Sequence, residues 1–345
     1  MDIVVDFEVS NRCNAKCHFC PRDQTPHQGS MPRDVFDQGL IRAKEYREIA
    51  RDRLGVGTTI SLCGLGEPLL NREVVGYVRD AKAEGFRVQL SSNGALLSEE
   101  KGAALLDAGL DEILINAGDE GDEYEEVYGL PWEKTYENIK RFAAMADGRT
   151  NVTIVLVDHR ESPEHRQKMR QLWHSHGIRS FYSFEIMNRG GALSVDHMQY
   201  EQMPQLARAR ELLTADGGAT PCCGAPFAYL FIGYDAQYYL CCSDWRKETA
   251  MGTIFDRSFE DVITEKIQMI TSREPACRSC NLDPTNRLTG ELAALEAGTV
   301  SQADVDELTR SLRVGSAALE QGVARLGYSL SDAKPGRRRI PVTAE

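Results

Sequence analysis

The chain has 345 residues, of which 42% are hydrophobic, and a formal net charge of -12. A chain of this length can bury a large core and fold without disulfides. The negative charge disfavours a broad nucleic-acid or anionic membrane surface, because phosphates would be repelled, and it favours a cationic small substrate. No apolar run of about 18 residues occurs, and the N-terminal residues lack the pattern of a secretory signal. We therefore expect a cytoplasmic protein that binds neither nucleic acid nor membrane.

Six β-rich runs alternate with helical stretches over the first 200 residues. The predicted strands are 3–9, 58–64, 86–92, 112–117, 151–157 and 181–187, and helical spacing of apolar residues marks 32–53, 71–84, 99–108 and 132–146. Repeated strand–helix units predict a parallel sheet with right-handed crossovers. We expect an α/β fold, a partial (β/α)6 TIM-like barrel over residues 1–200, with ligands at the carboxyl ends of its strands.

The pattern changes after about residue 200. A predicted helix near 198–215 leads into a β-hairpin with its turn at 233–236, then a helix over 258–270 and a C-x2-C pair. We expect an auxiliary domain over 201–284. The remaining residues, 285–345, predict a helical extension that opens a helix at Ser301 with a capping-box signal and ends in Gly-Arg-Arg-Arg at 336–339.

Three cysteines follow the first strand in a C-x3-C-x2-C pattern: Cys13, Cys17 and Cys20. A [4Fe–4S] cluster needs thiolates close together, and a short loop can supply three of four, which leaves one iron free to bind a cofactor or substrate. The alternative is a zinc knuckle, for which His18 inside the loop could provide a fourth ligand.

At these residues the sequence resembles the radical S-adenosylmethionine superfamily, whose loop has an aromatic residue before its last cysteine, here Phe19, and commonly Pro-Arg after it, here Pro21 and Arg22. The resemblance implies that the open iron chelates S-adenosylmethionine and that an electron from the cluster cleaves it to methionine and a 5′-deoxyadenosyl radical. A flavodoxin or ferredoxin-type reductant is implied as the source of that electron.

Two further motifs agree with this resemblance in order and placement. Strand two ends in Cys-Gly-Leu-Gly-Glu-Pro at 63–68, similar to the family's GGEP, with Leu65 in place of a glycine. Strand three ends in Ser-Ser-Asn-Gly at 91–94, similar to the family's ribose-contacting turn. The resemblance implies that the glutamate binds the methionine ammonium and that glycines allow close backbone approach. The residues implied as cofactor-binding in these motifs are Gly64, Gly66, Glu67, Ser92 and Asn93.

The resemblance is weaker at strands four to six. Asn116 stands where the family often has a serine, and we expect it to contact the cofactor. Strand five lacks the family's glycine-containing adenine motif, so Val155 and Leu156 are the predicted adenine neighbours. Strand six ends in Met-Asn-Arg-Gly-Gly at 187–191, in which Arg189 either binds a substrate group or pairs with an acid in the protein.

The second set of cysteines brackets the hairpin and its helix, and residues 251–280 resemble the start of SPASM and twitch domains. No cysteine follows Cys280, so the resemblance implies the shorter twitch form with one auxiliary [4Fe–4S] cluster; zinc is the alternative. Adjacent side chains on extended backbone point in opposite directions, so one cysteine of each doublet should be a ligand. The expected ligands are Cys223, Cys241, Cys277 and Cys280, with Cys222 and Cys242 as alternates. The spare thiols are either buried filler or hydrogen-atom donors.

The twitch resemblance implies epimerisation or alcohol oxidation of a small natural product, for which an aminosugar or aminocyclitol fits the acidic chain. A peptide-modifying enzyme is the second hypothesis, disfavoured because the chain begins at strand one, without a leader-binding domain. A non-enzymatic electron carrier is the third hypothesis. It is disfavoured, because a carrier gains nothing from an open iron beside GLGEP and SSNG.

Overall fold

The computed structural model describes residues 2–159, 162–193 and 199–330; the predicted Gly-Arg-Arg-Arg run lies outside them. Six parallel strands form at the positions that the alternation predicts, each within one or two residues of its predicted bounds. They pair in sequence order, β1 with β2 and so on to β5 with β6. The strands are β1 Ile3–Glu8, β2 Thr58–Cys63, β3 Arg87–Ser92, β4 Glu112–Asn116, β5 Asn151–Asp158 and β6 Ser180–Glu185.

Helices connect these strands and continue into the C-terminal part. All seven predicted helices have a counterpart in the structure, whereas the helix α4 is one that the sequence did not predict. The helices are α1 Arg33–Ile49, α2 Val74–Ala83, α3 Glu99–Asp107, α4 Gly121–Tyr128, α5 Trp132–Ala146, α6 Pro163–His174, α7 Gln205–Thr214, α8 Ala225–Ala228, α9 Phe259–Thr271, α10 Pro275–Ser279, α11 Pro284–Glu296 and α12 Gln302–Arg325.

The two faces of the sheet differ in chemistry, because side chains alternate along each strand. One face packs against the helices through fully buried apolar side chains; Phe7, for example, lies 5.2 Å from the ring of Phe36 in α1. The opposite face, here called the inner face, carries Asp6 and Glu8 from β1 and Ser61 and Cys63 from β2, which are paired in register. The alternation thus puts a hydrophobic core outside the sheet and polar groups inside it.

The predicted hairpin forms from β7 (Tyr229–Ile232) and β8 (Tyr238–Tyr239), but it is not a separate unit. Strand β7 pairs in parallel with β1, so the sheet has eight strands in the order β6-β5-β4-β3-β2-β1-β7-β8. The expected six-stranded sheet is therefore extended on the β1 side by the auxiliary part of the chain.

The C-terminal helices form a small core of their own with α7. Helix α12 begins at Ser301, whose capping box with Asp304 confirms the predicted helix start. Its apolar face and that of α11 pack on α7 through Ala209, Leu213, Leu288, Leu292, Val305 and Leu312. Among the helices in the described ranges, none is long and apolar enough to cross a membrane.

Candidate active site

The three cysteines of the first motif lie in the loop after β1 and are free thiols. Burial raises the pKa of the Cys17 thiol. It also raises the pKa of the Cys20 thiol, to about 11. The thiols of Cys20 and Cys13 raise the pKa of Cys17 further, so the three cysteines of this loop interact electrostatically. A cationic metal centre stabilises thiolates and would offset the cost of ionising these buried thiols.

The helix α4 holds this loop in place. The backbone N–H of Lys16 donates to the Tyr128 carbonyl at 2.8 Å, and the N–H of His18 donates to the Val127 carbonyl at 3.1 Å. Gly129 ends the helix in the left-handed conformation, with φ of 65°, and a Cβ there would lie 3.1 Å from the Cβ of Lys16. The C-terminal end of α4 therefore supports the loop that carries the first three cysteines.

The Gly-Leu-Gly-Glu turn after β2 presses directly against β1 and the cysteine loop. A Cβ on Gly64, whose φ is 112°, would lie 2.5 Å from Cγ of Glu8, and one on Gly66 would lie 2.4 Å from the Arg12 carbonyl oxygen. Both contacts are too short for any larger residue. The glycines thus permit close backbone approach, as the motif implies.

The carboxylate of Glu67 is buried and accepts hydrogen bonds inside the protein. Its Oε1 accepts from the Ser92 hydroxyl at 2.8 Å and from the N–H of Leu69 at 3.0 Å, and its Oε2 accepts from the N–H of Asn93 at 2.8 Å. Burial raises the pKa of Glu67, and these donors oppose the increase. Glu67 therefore positions the end of β3, and a contact with a ligand ammonium would add to that role.

Asn93 joins β3 to the cysteine loop. Its Nδ2 donates to Oδ1 of Asn14 at 2.9 Å and lies 3.9 Å from the sulfur of Cys13, while its Oδ1 accepts from the N–H of Ala95. The residues predicted from the GLGEP and SSNG motifs are thus brought together beside the first cysteine. Their expected contacts with a cofactor stay predictions.

The residues predicted as cofactor contacts on β4 and β5 lie on different faces of the sheet. Asn116 and Val155 are paired in register on the inner face, where a ligand could reach them. Leu156 points to the opposite face and packs in the helix-side core, so its predicted role as an adenine neighbour is wrong. Sequence reasoning did not find Asp119 and His159, which follow these strands and meet at 2.8 Å.

Several cysteines of the second set lie near Cys280. Burial raises the pKa of Cys223, Cys241, Cys242 and Cys277, and Cys280 raises each of these further. The expected ligands Cys223, Cys241, Cys277 and Cys280 are thus near one another, with Cys242 beside them. Which cysteine of each doublet is a ligand stays a prediction.

Buried asparagines shape the loop of the C-x2-C pair. Asn286 in α11 donates from Nδ2 to the carbonyls of Cys277 at 3.0 Å and Cys280 at 2.8 Å. Asn188 follows β6. Its backbone N–H donates to Oδ1 of Asn281, and the backbone N–H of Asn281 donates to Oδ1 of Asn188, each at 3.0 Å. Neither asparagine was predicted as a site residue, although Asn188 lies within the NRGG pattern that the sequence analysis quoted.

The two spare cysteines lie in different surroundings. Cys222 is buried in the main core, where Asp283 and Glu320 contribute to its raised pKa after burial. Cys242 packs with Cys20 on an inner-face cluster made of Leu65, Phe231, Tyr239 and Trp245. Of the two predicted hydrogen donors, the geometry favours Cys242, because only it borders both the first cysteine loop and the inner face.

Arg189 lies between the two sets of cysteines. Its charge lowers the pKa of both Cys20 and Cys242 against the larger, opposing effect of burial. Its φ is 52°, an unusual value for a residue with a side chain, and its guanidinium lies 5.9 Å from the ring of Trp245. The prediction that Arg189 meets a substrate fits this position.

The donor chemistry fits two iron–sulfur centres. Three thiols on one loop beside the tightly packed glycine turn suit a cluster with one open iron, and four thiols near one another suit a closed cluster.

Family models agree with this division of the chain. The model of the Radical SAM superfamily matches residues 7–172, which contain the first cysteines, GLGEP and SSNG. The model of the SPASM iron–sulfur cluster-binding domain matches residues 222–281, which contain all six cysteines of the second set.

Individual relatives have low sequence identity to this chain and match only part of it. The chain is 30% identical over 107 residues to the tungsten-containing aldehyde ferredoxin oxidoreductase cofactor-modifying protein of Pyrococcus furiosus, covering 31% of this chain and 28% of the relative. It is 34% identical over 111 residues to a probable GTP 3′,8-cyclase of Methanothermobacter thermautotrophicus, covering 31% of this chain and 32% of the relative. The chain thus spans about a third of the length of the curated relatives it matches.

A solved structure confirms the fold over a longer range. Streptococcus suis SuiB bound to the precursor peptide SuiA superimposes with a TM-score of 0.56 at 13% identity, covering 76% of this chain and 64% of SuiB. At this identity the match concerns the architecture alone.

Proposed function

Because the chain belongs to the radical SAM superfamily and carries a SPASM-type auxiliary domain, we propose that it epimerises an amine-bearing small molecule, such as an aminosugar or aminocyclitol. S-adenosylmethionine and [4Fe–4S] clusters are its cofactors. When bound, they supply a 5′-deoxyadenosyl radical that abstracts one hydrogen atom from a substrate carbon. In the proposed reaction the Cys242 thiol returns a hydrogen atom to the opposite face of that carbon. One electron from the flavodoxin or ferredoxin-type reductant and one solvent proton convert the resulting thiyl radical back to the thiol.

The placement of Cys242 carries this proposal. Cys242 is the member of its doublet that is not an expected ligand, and it lies near Arg189 and close enough to Asp6 for the carboxylate to raise its pKa after the larger effect of burial, to about 11 in all. At neutral pH the thiol therefore keeps its proton, and an S–H group is what a hydrogen-atom donor needs. Cys242 can serve in this way without removing a ligand from the auxiliary centre.

The inner face supports a cationic substrate. Asp6 is buried beside Cys63, whose sulfur lies 3.2 Å from its Oδ1, and burial raises the pKa of the carboxyl. Tyr229 lies in the same region, since Asp6 and Cys242 contribute to raising its pKa to about 12 after burial. A substrate ammonium beside Asp6 would favour the ionised carboxylate and offset part of its burial cost.

Oxidation of an alcohol to a ketone is the alternative outcome at the same site. It shares the first hydrogen abstraction but requires no thiol, because the substrate radical would lose a proton and pass its electron to the auxiliary cluster instead of regaining a hydrogen atom. Asp6 is positioned to accept such a proton. The two outcomes therefore differ in their dependence on Cys242.

A peptide substrate is the second candidate, favoured by the open edge of the sheet. Strand β6 has no partner strand on its outer side within the described residues, and Tyr182 on its inner face is 56% exposed. An extended peptide could enter beside that strand. Peptide substrates are the class bound by SuiB, the matched structure.

The test replaces Cys242 with alanine and assays iron, cofactor cleavage and product in deuterated water. Under the proposal, Cys242→Ala keeps both clusters and still forms 5′-deoxyadenosine but makes no epimer, and the wild-type product carries solvent deuterium at one carbon. Cys222→Ala is the matched control, because it removes a spare thiol that lies in the core, and it should retain turnover.

A ketone product without solvent deuterium, formed equally well by Cys242→Ala, would contradict the epimerase proposal and favour oxidation. Loss of iron in Cys242→Ala would instead make Cys242 a ligand. Candidate aminocyclitols and short peptides, assayed in parallel for stimulated 5′-deoxyadenosine formation with a flavodoxin or ferredoxin-type reductant, separate the two substrate classes.

A further inference from the structure

A lysine in the auxiliary part of the chain is buried among uncharged hydrogen-bond partners. Lys266 lies in α9 and is 1% exposed. Its Nζ donates to the carbonyl oxygen of Pro226 at 2.7 Å and to that of Tyr229 at 2.9 Å. An ammonium held by carbonyls in the protein interior is costly unless a negative charge lies nearby.

These two hydrogen bonds tie α9 to the short helix α8. Pro226 lies within α8, which follows the doublet that contains Cys223, and Tyr229 begins β7. Strand β7 in turn pairs with β1. Lys266 therefore fixes the backbone between Cys223, an expected ligand of the auxiliary cluster, and the main sheet.

Two acidic groups act on Lys266 through their charge. Burial lowers the pKa of Lys266 to about 7, and Cys241 and then Asp6 oppose this effect. Burial raises the pKa of Asp6, and Lys266 is among the groups that oppose that rise. Cys241 follows β8 and is another expected ligand of the auxiliary cluster, while Asp6 lies on the inner face of β1. The ammonium thus lies in the electrostatic field of an expected ligand.

A four-iron cluster bound by thiolates has the negative charge that suits such a lysine. Four thiolates outweigh the positive charge of the iron–sulfur core, and reduction adds one further negative charge. The reduction potential of a cluster depends on its net charge and its surroundings. A buried cation stabilises the reduced form more than the oxidised form, because Coulomb attraction grows with charge and is weakly screened in the interior.

We propose that the Lys266 ammonium is the internal counter-charge of the auxiliary cluster and raises its reduction potential. Lys266 is a positioning residue, since it acts on the reaction through the cluster and its ligands. A higher potential lets the cluster accept an electron more readily. The inference rests on the auxiliary cluster of the proposed function and holds for epimerisation and oxidation alike.

The test measures the midpoint potential of the auxiliary cluster by redox titration, followed by electron paramagnetic resonance on the full chain with both clusters. The variant with alanine at Cys13, Cys17 and Cys20 keeps only the auxiliary cluster and assigns the signals. Lys266→Met removes the charge and both hydrogen bonds, whereas Lys266→Gln removes the charge but keeps an N–H donor. In both variants the auxiliary midpoint should shift to a more negative potential, and that of the first cluster should shift less.

Tyr46→Phe is the matched control. The Tyr46 hydroxyl donates to the Phe227 carbonyl at 3.1 Å, so its loss weakens the support of the same helix, α8, without changing a charge. The auxiliary midpoint should stay at the wild-type value in this variant. Lys266→Arg keeps the charge and should also stay close to the wild-type value.

Other outcomes overturn the inference. An unchanged midpoint in Lys266→Gln, with about eight irons per chain, would show that the cluster does not respond to the charge. An equal shift in Tyr46→Phe would attribute the effect to the shape of α8. If both neutral variants lose the auxiliary iron, Lys266→Arg decides. Retained iron at the wild-type midpoint supports the counter-charge, and iron lost from all three variants makes Lys266 a packing residue.

The result is separate from that of the proposed function. A ketone product would contradict epimerisation and leave these potentials unchanged. An unshifted midpoint would overturn the role of Lys266 and leave the hydrogen-donor test of Cys242 as it is. About four irons per chain in the wild type would remove the auxiliary cluster, and the inference with it.

Discussion

Glu67 acts on the site through residues that it holds in place. Its two carboxylate oxygens accept from Leu69, Ser92 and Asn93, so it fixes the turn in which Asn93 reaches the cysteine loop. A carboxylate is needed for this purpose, because all three partners donate. The charge therefore contributes to the shape of the site as well as to any contact with an ammonium group.

Glu67→Gln tests this role with little change in size. The new amide N–H2 would face an N–H or O–H donor, so the end of β3 should shift and S-adenosylmethionine should bind about tenfold or more weakly. Both clusters should remain, with about eight irons per chain. Anaerobic binding and iron assays provide the measurement, and Ser92→Ala, which removes one donor but leaves the carboxylate, should have the smaller effect. Unchanged affinity would contradict the role assigned to Glu67.

Asn286 has the corresponding role at the second set of cysteines. Its Nδ2 donates to backbone carbonyls of the C-x2-C loop, and its Oδ1 accepts from Arg273 at 2.6 Å. Asn286→Leu should free this loop, so iron should fall from about eight to about four per chain while the first cluster remains. Thr289→Val is the control, because it removes a buried hydroxyl from the same helix without touching the loop. Full iron content in Asn286→Leu would show that the cysteine loop holds its shape unaided.

At the scale of elements, the end of α4 is needed for the first cluster. Two backbone hydrogen bonds join it to the cysteine loop, and Gly129 lies against Lys16 where the helix ends. The helix contributes geometry to the site without contributing a ligand.

Gly129→Ala should therefore displace the cysteine loop and lower the occupancy of the first cluster. Gly148→Ala is a matched control: Gly148 has φ of 75° and open space around its Cβ position, so it bears a similar backbone strain, on the order of 1 kcal/mol, without the contact. Iron content and 5′-deoxyadenosine formation should fall in Gly129→Ala alone. Equal losses in both variants would attribute the effect to strain and not to the contact with Lys16.

The sequence predicted most of the elements but not all of their partners. The β-rich runs predict β1 to β6 well, because alternation and flanking turns are local signals. Helix α4 was missed, since its eight residues are acidic and too short to give a clear apolar period. The hairpin was predicted, but its pairing with β1 depends on residues more than 200 positions apart, which no local pattern reveals. For the same reason the motifs indicate Glu67 and Asn93 but not Asn286 or His159.

At the scale of the whole molecule, β1 joins the barrel to the auxiliary part. It pairs with β2 on one side and β7 on the other, and its Glu8 reaches across to Lys247. The Lys247 Nζ lies 2.5 Å from Oε2 of Glu8, with the two side chains only 5% and 0% exposed. The buried Oε1 of Glu8 has no hydrogen-bond partner among the described residues. The cost of burying these two charges is therefore only partly offset by their hydrogen bonds. Replacing either residue alone should change the stability of the protein.

Glu8→Gln should destabilise the folded protein strongly, by about 3–5 kcal/mol, because it removes the nearer carboxylate from the buried Lys247 ammonium and leaves only Asp235 at 3.8 Å. The double variant Glu8→Gln, Lys247→Met should recover much of this loss, since it removes both charges. The free energy of unfolding of the two variants and the wild type, measured without oxygen on protein with both clusters, provides the comparison. Equal destabilisation of the single and double variants would show that the charge on Lys247 is not the cause.

The buried pair of Glu8 and Lys247 also predicts whether the stability of the protein rises or falls with pH. Burial raises the pKa of Glu8, and Lys247 only partly opposes this effect, so the folded protein keeps the Glu8 proton to a higher pH than the unfolded chain does. Between the ordinary carboxyl pKa and the raised one, the folded state binds more protons, and the contribution of Glu8 to stability falls as pH rises through this window. In the double variant that fall should be smaller by the share of Glu8, because Asp6 and Glu67, whose pKa values burial also raises, still titrate there. Unfolding measured from about pH 4.5 upward would detect the difference. A steeper fall in the double variant than in the wild type would contradict the raised pKa of Glu8 and place the titrating group elsewhere in the protein.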